Sequence, residues 1–183
     1  MTRQGLPLVL DVTTRRCVVV GAGAGGRRKL TALLAAGAKV TVIDPAISAL
    51  DGDDTSAVTP IRRAWRHGDL ADADLVVIAT DDQAVNTAAA AEANAVGALV
   101  LRADRSDEGD VWLPAVTRRE SLTIAVDSGG ASPAVAAVAR AELTRILDEE
   151  GDRWDELVRW ATRNRPVSVA EAEAKLSEMR GRS

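Results

Sequence analysis

Short apolar runs alternate with stretches of helical character over the first part of this chain. Runs of this length are typical of parallel strands covered on both faces, since almost every side chain in them is buried. The predicted strands are Cys17–Val20, Lys39–Ile43, Leu75–Ala79 and Leu99–Leu101. Helices are predicted between them over Gly26–Ala36 and Ala84–Ala95. Strands that alternate with helices predict an α/β fold with a right-handed, doubly wound, Rossmann-type parallel sheet over residues 1–112.

Weaker patterns add elements at the margins of this unit. A short strand is predicted for Leu8–Asp11. An edge strand is predicted for Thr59–Trp65, where Pro60 near the start of the run suits the edge of a sheet. Residues 47–55 are predicted to form a polar loop or a short helix.

The chain becomes mainly helical after residue 112. A strand is predicted for Leu122–Val126, and helices follow over Ala134–Glu149, Asp152–Thr162 and Ser168–Met179. The first of these helices has an apolar stripe at helical spacing, formed by Val135, Val138, Leu143, Ile146 and Leu147. Such a stripe needs a partner, which is either its own domain or a second copy across a dimer two-fold axis. We expect a dimerisation region over residues 113–150 and a helical C-terminal region over residues 151–183.

The junction of the first strand and helix has the sequence GAGAGG, residues 21–26. Glycines here permit a tight turn, close approach of a pyrophosphate and close helix–strand packing, and the helix start offers free N–H groups. Asp44 ends the second strand, where a carboxylate can accept both ribose hydroxyls and would repel a 2′-phosphate. The pattern therefore favours NAD over NADP. The candidate cofactor-binding residues are Gly21, Gly23, Ala24, Gly25, Gly26, Asp44 and Pro45.

A second polar turn, Thr80-Asp81-Asp82, follows the third strand, and Asn86 lies four residues beyond Asp82. Ligands of a Rossmann sheet lie beyond the carboxyl ends of its strands, so this turn is expected to face the cofactor. Thr80, Asp81 and Asn86 are therefore further candidate cofactor-binding residues. Either aspartate can instead cap the next helix, and the two roles are compatible.

Composition narrows the classes of function. A net charge of -4 gives no general attraction to nucleic acid or to an anionic membrane. No apolar run reaches the roughly 18 residues that span a bilayer, and no signal peptide opens the chain. The single cysteine, Cys17, and the single histidine, His67, exclude a disulfide framework and a preformed His/Cys metal site within the chain. These features suit a cytoplasmic protein.

Several motifs in one order resemble the N-terminal module of siroheme synthase. They are an LPL start, GAGAGGRRK, Gly68-Asp69-Leu70, the ATDD…N turn, Leu113-Pro114-Ala115 and DSGGASP. That family comprises precorrin-2 dehydrogenases, some of which are also sirohydrochlorin ferrochelatases. The resemblance implies NAD-dependent oxidation of precorrin-2 to sirohydrochlorin, a homodimer with an intertwined second region, and a helical tail. Insertion of Fe²⁺ or Co²⁺ is an additional activity that the family allows.

The resemblance also implies roles for individual residues. Asp104, just past the fourth strand, matches the aspartate proposed in the family as the acid/base for dehydrogenation and, where it occurs, chelation. A turn or cap aspartate is the alternative. The chain departs from the family before this residue, because it has Leu101-Arg102-Ala103 where an Asn-Val-Val-like run is common. The acidic segment 107–110 is also unusual.

The segment DSGGASP, residues 127–133, immediately precedes a predicted long helix. Its glycines leave N–H groups open to an anion, which suits a tetrapyrrole that carries eight carboxylates. In related chains the serine matching Ser128 lies in the tetrapyrrole pocket and can carry phosphate. The candidate substrate-binding residues are Ser128, Gly129, Gly130 and Ser132. A capped loop-to-helix junction is the alternative. Additional carboxylate contacts are possible for Arg102, Arg105, Arg118 and Arg119, with a solvated surface position as the default for each.

Two other functions remain open at this stage. A non-enzymatic NAD-sensing module, such as the regulatory domain of a transporter, shares the glycine loop and the ribose acid. A Rossmann oxidoreductase with another substrate shares them too. Asp104 and the SGGASP helix start favour the tetrapyrrole enzyme, since a sensor has no use for either.

Overall fold

The computed structural model describes residues 4–47 and 55–181, and most of the segment predicted as a polar loop or short helix lies outside them. The chain divides into two compact units, one over Leu6–Leu113 and one that begins at Pro114. The regions that the sequence assigns to dimerisation and to the C-terminal helices both fall in the second unit.

The first unit is built on a sheet of five parallel strands in the order β3-β2-β1-β4-β5. This sheet confirms the predicted α/β, Rossmann-type fold class. The strands are β1 (Cys17–Val20), β2 (Val40–Ile43), β3 (Val58–Ile61), β4 (Leu75–Ile78) and β5 (Leu99–Arg102). Helix α1 (Ala24–Ala35) connects β1 to β2, and α2 (Gln83–Ala95) connects β4 to β5.

The core of this unit lies on both faces of the sheet, because alternate strand residues point to opposite sides. Val19, Val42 and Val77 face the layer that contains Leu30 and Leu33 of α1. The opposite face of the sheet packs against small residues of α2. That cluster includes Val18, Val20, Val76, Ile78, Ala89 and Ala93. The central strands are fully buried, which explains why their sequences are continuous apolar runs.

The predicted edge strand is confirmed and shorter than expected. β3 ends at Ile61, and within the part of the chain that the structure describes it pairs only with β2. Its Pro60 lies opposite Val42 in that pairing. An edge position tolerates proline, because one side of the strand needs no ladder hydrogen bonds.

The prediction of a strand at Leu8–Asp11 is wrong. These residues have no regular secondary structure, and Leu8 and Val9 are 79% and 100% exposed. The run has the composition of a strand, but among the described residues no other strand pairs with it. Composition alone does not supply the hydrogen-bonding partner that a strand needs.

The second unit begins with an antiparallel hairpin and continues as three helices. The hairpin pairs β6 (Ala115–Arg119) with β7 (Leu122–Val126), and the sequence had indicated only the second strand. The helices are α3 (Pro133–Glu149), α4 (Gly151–Arg163) and α5 (Val169–Arg180). α3 packs on both strands of the hairpin, and α5 packs on α4.

The predicted stripe on α3 is only partly covered. Leu147 is buried, but Val135, Val138 and Ile146 are 61%, 71% and 46% exposed. Apolar side chains at this exposure are ones that a partner could remove from water. Among the described residues, no helix is long and apolar enough to cross a membrane.

Candidate cofactor and substrate sites

Gly21 lies in close contact with the backbone that follows β4. It follows β1 with a φ of +93°, and a Cβ there would lie 2.7 Å from the Ala79–Thr80 peptide after β4. β1 and β4 are the neighbouring strands at which the strand order reverses. Only glycine combines this dihedral angle with this contact. The loop therefore begins at the topological switch point, where a doubly wound sheet binds its ligand.

The other glycines of the loop divide into two kinds. A Cβ on Gly26 would lie 2.0 Å from the carbonyl oxygen of Gly21, so this glycine lets α1 pack directly on the loop. A Cβ on Gly23 or Gly25 would meet no atom within 4 Å. Two glycines thus serve packing and two leave open space at the start of α1. Open space bounded by backbone is the arrangement that a dinucleotide pyrophosphate requires.

The start of α1 supplies donors to that space. Its N-cap is Gly23, which has no side chain, and Ala24 is its first residue. By contrast, the Asp82 side chain caps α2 by accepting from the N–H groups of Ala84 and Val85. The first-turn N–H groups and the positive end of the α1 dipole are therefore available for an anion.

Asp44 lies beside the glycine loop in a fixed orientation. Its Oδ2 accepts from the Ala22 N–H at 2.6 Å, and its Oδ1 accepts from the Ala46 N–H at 2.6 Å. The side chain remains partly exposed, and the neighbouring Pro45 is exposed. Each carboxylate oxygen can accept a second hydrogen bond, so the group can still receive ribose hydroxyls. These residues fit NAD.

The turn after β4 is held by a buried amide. Asn86 is 2% exposed, and its Oδ1 accepts from Thr80 Oγ1 at 2.6 Å while its Nδ2 donates to the Thr80 carbonyl at 3.0 Å. Asn86 therefore holds Thr80, and with it the turn, through hydrogen bonds from a buried position. The capping interpretation is confirmed for Asp82, whereas Asp81 is exposed.

A cavity of about 380 Å³ opens where the β4 and β5 ends meet. It brings Thr80, Asp81 and Asn86 together with Asp104, four residues that the sequence had assigned separately to the cofactor and to catalysis. Gln83 and Arg105 complete its lining. Parallel strands end at the same edge of a sheet, which explains this convergence.

Asp104 is tied to an arginine that the sequence interpretation placed wrongly. Arg102 was expected at the surface or on substrate, but it is 4% exposed. Its Nε and Nη2 donate to the two oxygens of Asp104 at 2.9 and 2.7 Å. This pairing, with a smaller contribution from an Asn86 hydrogen bond, lowers the pKa of Asp104 to about 2. A strand-end arginine flanked by apolar residues is the signal that could have indicated burial.

The DSGGASP segment forms a capped junction in the second unit. Ser128 Oγ donates to the Ser132 carbonyl at 3.0 Å and accepts from the Ser132 N–H at 3.2 Å. Ser132 Oγ in turn accepts from the Val135 N–H at 3.4 Å, which caps α3. Gly129 and Gly130 have φ values of +60° and +78°, and a Cβ on Gly130 would meet no atom within 4 Å. The two serines are thus hydrogen-bonded to each other within the loop, whereas there is open space beside Gly130.

Arg119 is likewise not a free surface group. Its guanidinium donates to Asp155 at 2.8 Å and to Asp148 at 3.3 Å. Because those contacts join β6 to α3 and α4, this arginine serves packing within the second unit.

Comparison with known proteins agrees with this geometry. The family described as "Putative NAD(P)-binding" matches residues 8–115. The siroheme synthase of Nitrosococcus oceani is 34% identical over 148 residues, which are 80% of this chain and 32% of that protein. The siroheme synthase of Methylococcus capsulatus is 36% identical over 144 residues, 78% of this chain and 30% of that protein. This chain therefore spans about a third of those relatives.

A solved structure extends the likeness to both units. The protein titled "SirC, precorrin-2 dehydrogenase" superposes with a TM-score of 0.73 at 27% identity, over 96% of this chain and 89% of that one. The family match contains the glycine loop, Asp44 and Asp104, and the cofactor that its description gives is NAD(P). We conclude that this chain belongs to the NAD(P)-binding family of the siroheme synthase N-terminal module.

Proposed function

We propose that this chain oxidises precorrin-2 to sirohydrochlorin with NAD⁺. The observation that carries the proposal is the Asp104 carboxylate in the cavity after β4 and β5, which it shares with Thr80 and Asn86. The name of the similar solved structure, a precorrin-2 dehydrogenase, supports it.

The reaction removes two electrons and two hydrogens from the tetrapyrrole. Precorrin-2 and NAD⁺ give sirohydrochlorin, NADH and one proton, and the chemistry that NAD supplies when bound is acceptance of the hydride. The remaining proton needs an acceptor near the ring, and a carboxylate at the cavity suits that role. Asp104 is our proposed acceptor, because it places an ionised carboxylate on the wall of the cavity.

The cofactor is proposed to bind with its ribose on Asp44 and its pyrophosphate at the start of α1. Asp44 is already oriented by the N–H groups of Ala22 and Ala46. A second negative charge on a 2′-phosphate would be repelled at this position, so we propose that NAD is preferred over NADP.

The substrate's carboxylates are proposed to contact the Gly129-Gly130 loop before α3. Positive φ values turn the backbone there, and the space around Gly130 is open. Since Ser128 and Ser132 already bond to each other, we assign the anion contacts to loop N–H groups and the serines to holding the loop.

The decisive experiment is anaerobic incubation of the chain with precorrin-2 and NAD⁺, followed by the absorbance of NADH and sirohydrochlorin. We expect equal amounts of both products and a much slower reaction with NADP⁺. A sample without protein measures the background oxidation of precorrin-2. Tight NAD binding without turnover would contradict the proposal and favour the sensing module.

Metal insertion is a second activity of the same proposed carboxylate. Asp104 in an open cavity can receive pyrrole N–H protons while Fe²⁺ or Co²⁺ enters as a substrate. Sirohydrochlorin and either metal, supplied without NAD, test this activity separately from dehydrogenation. Metal insertion no faster than without protein would restrict the chain to the redox step.

We also propose a homodimer that buries the exposed face of α3. Val135, Val138 and Ile146 give this face its apolar character. The N-terminal segment adds a second apolar surface through Leu6, Leu8 and Val9, which are 80%, 79% and 100% exposed. Removing such surface from water is the main driving force of association.

A further inference from the structure

Arg102 is a buried cation whose positive charge is balanced by neighbouring carboxylates. It ends β5, opposite Ile78 of β4, and its side chain is 3% exposed. Arginine is almost never this buried unless its donors are paired. Nε and Nη2 bond to Asp104, and Nη1 contacts Glu108 at 3.3 Å. Arg105, in the loop after β5, has an exposed side chain that also contacts Glu108.

We propose that Arg102 is the positioning residue of the site, which fixes the place and orientation of the Asp104 carboxylate at the cavity through two hydrogen bonds. This inference rests on the proposed function for its catalytic consequence, but the pairing itself is a property of the protein without substrate. Arg102 does not line the cavity and acts only through Asp104.

The geometry supports positioning rather than a general surface ion pair. Both oxygens of Asp104 are bonded to one planar guanidinium, which fixes the carboxylate plane as well as its location. The guanidinium is itself held at the end of a sheet strand, opposite Ile78 of β4. A lysine could not reproduce this fork, because its ammonium is a single point of charge.

The neighbouring charges favour the ionised forms of both Arg102 and Asp104. The Asp104 hydrogen bonds raise the pKa of Arg102, and Glu108 and Asp107 add to this effect. In return, Arg102 is the largest cause of the low pKa of Asp104. A lowered carboxyl pKa means that the ion pair contributes fully above the ordinary aspartate value of about 3.9 and is lost as pH falls through about 2.

The test is a pH titration of the Asp104 carboxyl carbon by ¹³C NMR, with the signal assigned from its absence in Asp104→Asn. In the wild type we expect no titration down to the acid limit of the fold. In Arg102→Met the midpoint should rise by about one pH unit or more, since removal of an adjacent cation has that size of effect. Arg102→Lys should give an intermediate midpoint, and it serves if the Met variant does not fold.

Arg105→Met is the matched control, because it removes the same charge three residues away, from a side chain that bonds to Glu108 and not to Asp104. Its Asp104 titration should equal that of the wild type. An Asp104 midpoint unchanged in both Arg102 variants, or raised equally by Arg105→Met, would overturn the inference.

The catalytic consequence has its own readout in the pH profile of kcat for precorrin-2 oxidation. The wild type should show no acid limb from Asp104, and Arg102→Met should gain one at its raised midpoint. A shifted NMR titration in a chain that does not oxidise precorrin-2 would refute the proposed function and leave the positioning role supported. A shifted titration with an unshifted kcat profile would refute the catalytic part.

Discussion

Asp44 and Asp104 are both carboxylates just past the end of a sheet strand, yet their surroundings give them different roles. Asp44 is held by two backbone N–H groups and keeps lone pairs for a ligand. Asp104 is held by a buried guanidinium that takes both of its oxygens. The first is suited to hydrogen-bonded recognition and the second to a constant negative charge.

Replacement of Asp44 tests the recognition role. Asp44→Ala should weaken NAD binding by about tenfold or more, because a hydrogen bond to a charged group contributes about 1.5–3 kcal/mol. Loss of the negative charge should also reduce the preference for NAD over NADP. Calorimetric titration with both dinucleotides measures these effects. Asp72→Ala, which alters an exposed carboxylate of the same unit, is the control. Equal affinity of the wild type for NAD and NADP would contradict the assignment.

Replacement of Asp104 tests the catalytic role. Asp104→Ala and Asp104→Asn should retain NAD affinity and lose dehydrogenation by about 10²–10⁴-fold, the usual contribution of a positioned acid or base. Initial rates under strict anaerobiosis, corrected for background oxidation, give the comparison with Asp72→Ala. We expect both variants to fold, because Arg102 keeps Glu108 as a partner. Circular dichroism checks this expectation. A wild-type rate in Asp104→Ala would remove the residue from the mechanism.

Much of this residue-scale chemistry was accessible from sequence. A short acid before a helix indicated the Asp82 cap, and glycines after a strand indicated the loop. Arg102 was not predicted, because single residues do not reveal whether a charge finds partners after folding. Its partners are two and six residues away on a turn whose path only the structure defines.

At the scale of elements, the glycine loop allows α1 to pack closely against it and also leaves space for a ligand at the start of α1. Gly26 is needed for the contact between α1 and the loop, whereas Gly23 has open space around its α-carbon. The two positions should therefore respond differently to the same added methyl group.

Gly26→Ala should destabilise the fold by about 1–3 kcal/mol, because its Cβ would overlap the Gly21 carbonyl. Gly23→Ala should retain stability, since its φ of -63° suits alanine. It should instead weaken NAD binding by reducing the space at the helix start. Urea denaturation and NAD titration of both variants provide the comparison, and a stable Gly26→Ala together with a destabilised Gly23→Ala would refute this division of roles.

Elements with a strong local pattern were predicted well and the others poorly. The central strands are buried on both faces, so their sequences are continuous apolar runs. β6 was missed because Ala115–Arg119 mixes apolar and basic residues, as a hairpin strand with an exposed face does. The Leu8–Asp11 prediction failed for the opposite reason, because a strand-like composition had no pairing partner.

At the scale of the whole molecule, the second unit has little core of its own. On α3 only Ala136 and Leu147 are buried, although the helix has 17 residues. Because so much of α3 is exposed, a second copy that covers this face would add to the buried apolar surface of the unit.

A charge on the exposed α3 face should prevent dimer formation. Val138→Glu is expected to convert a dimer to a monomer or to an unfolded chain, since it would place an unpaired charge in an apolar interface. Sedimentation velocity at micromolar concentration measures the outcome. Val96→Glu, at a 42% exposed valine after α2, is the matched control and should leave the association state unchanged. A wild-type chain that sediments as a stable, active monomer would contradict the proposed homodimer.

The start of α1 has a consequence for the lifetime of the chain. Because Gly23 provides no side-chain cap, bound pyrophosphate would complete the helix, and binding and folding become linked equilibria. Free dinucleotide at a hundredfold excess over its Kd would add about 2.7 kcal/mol to the free energy of unfolding. Amide hydrogen exchange of Ala24, Gly25 and Gly26 should slow in parallel. The persistence of the folded chain would then depend on the nucleotide supply of its surroundings.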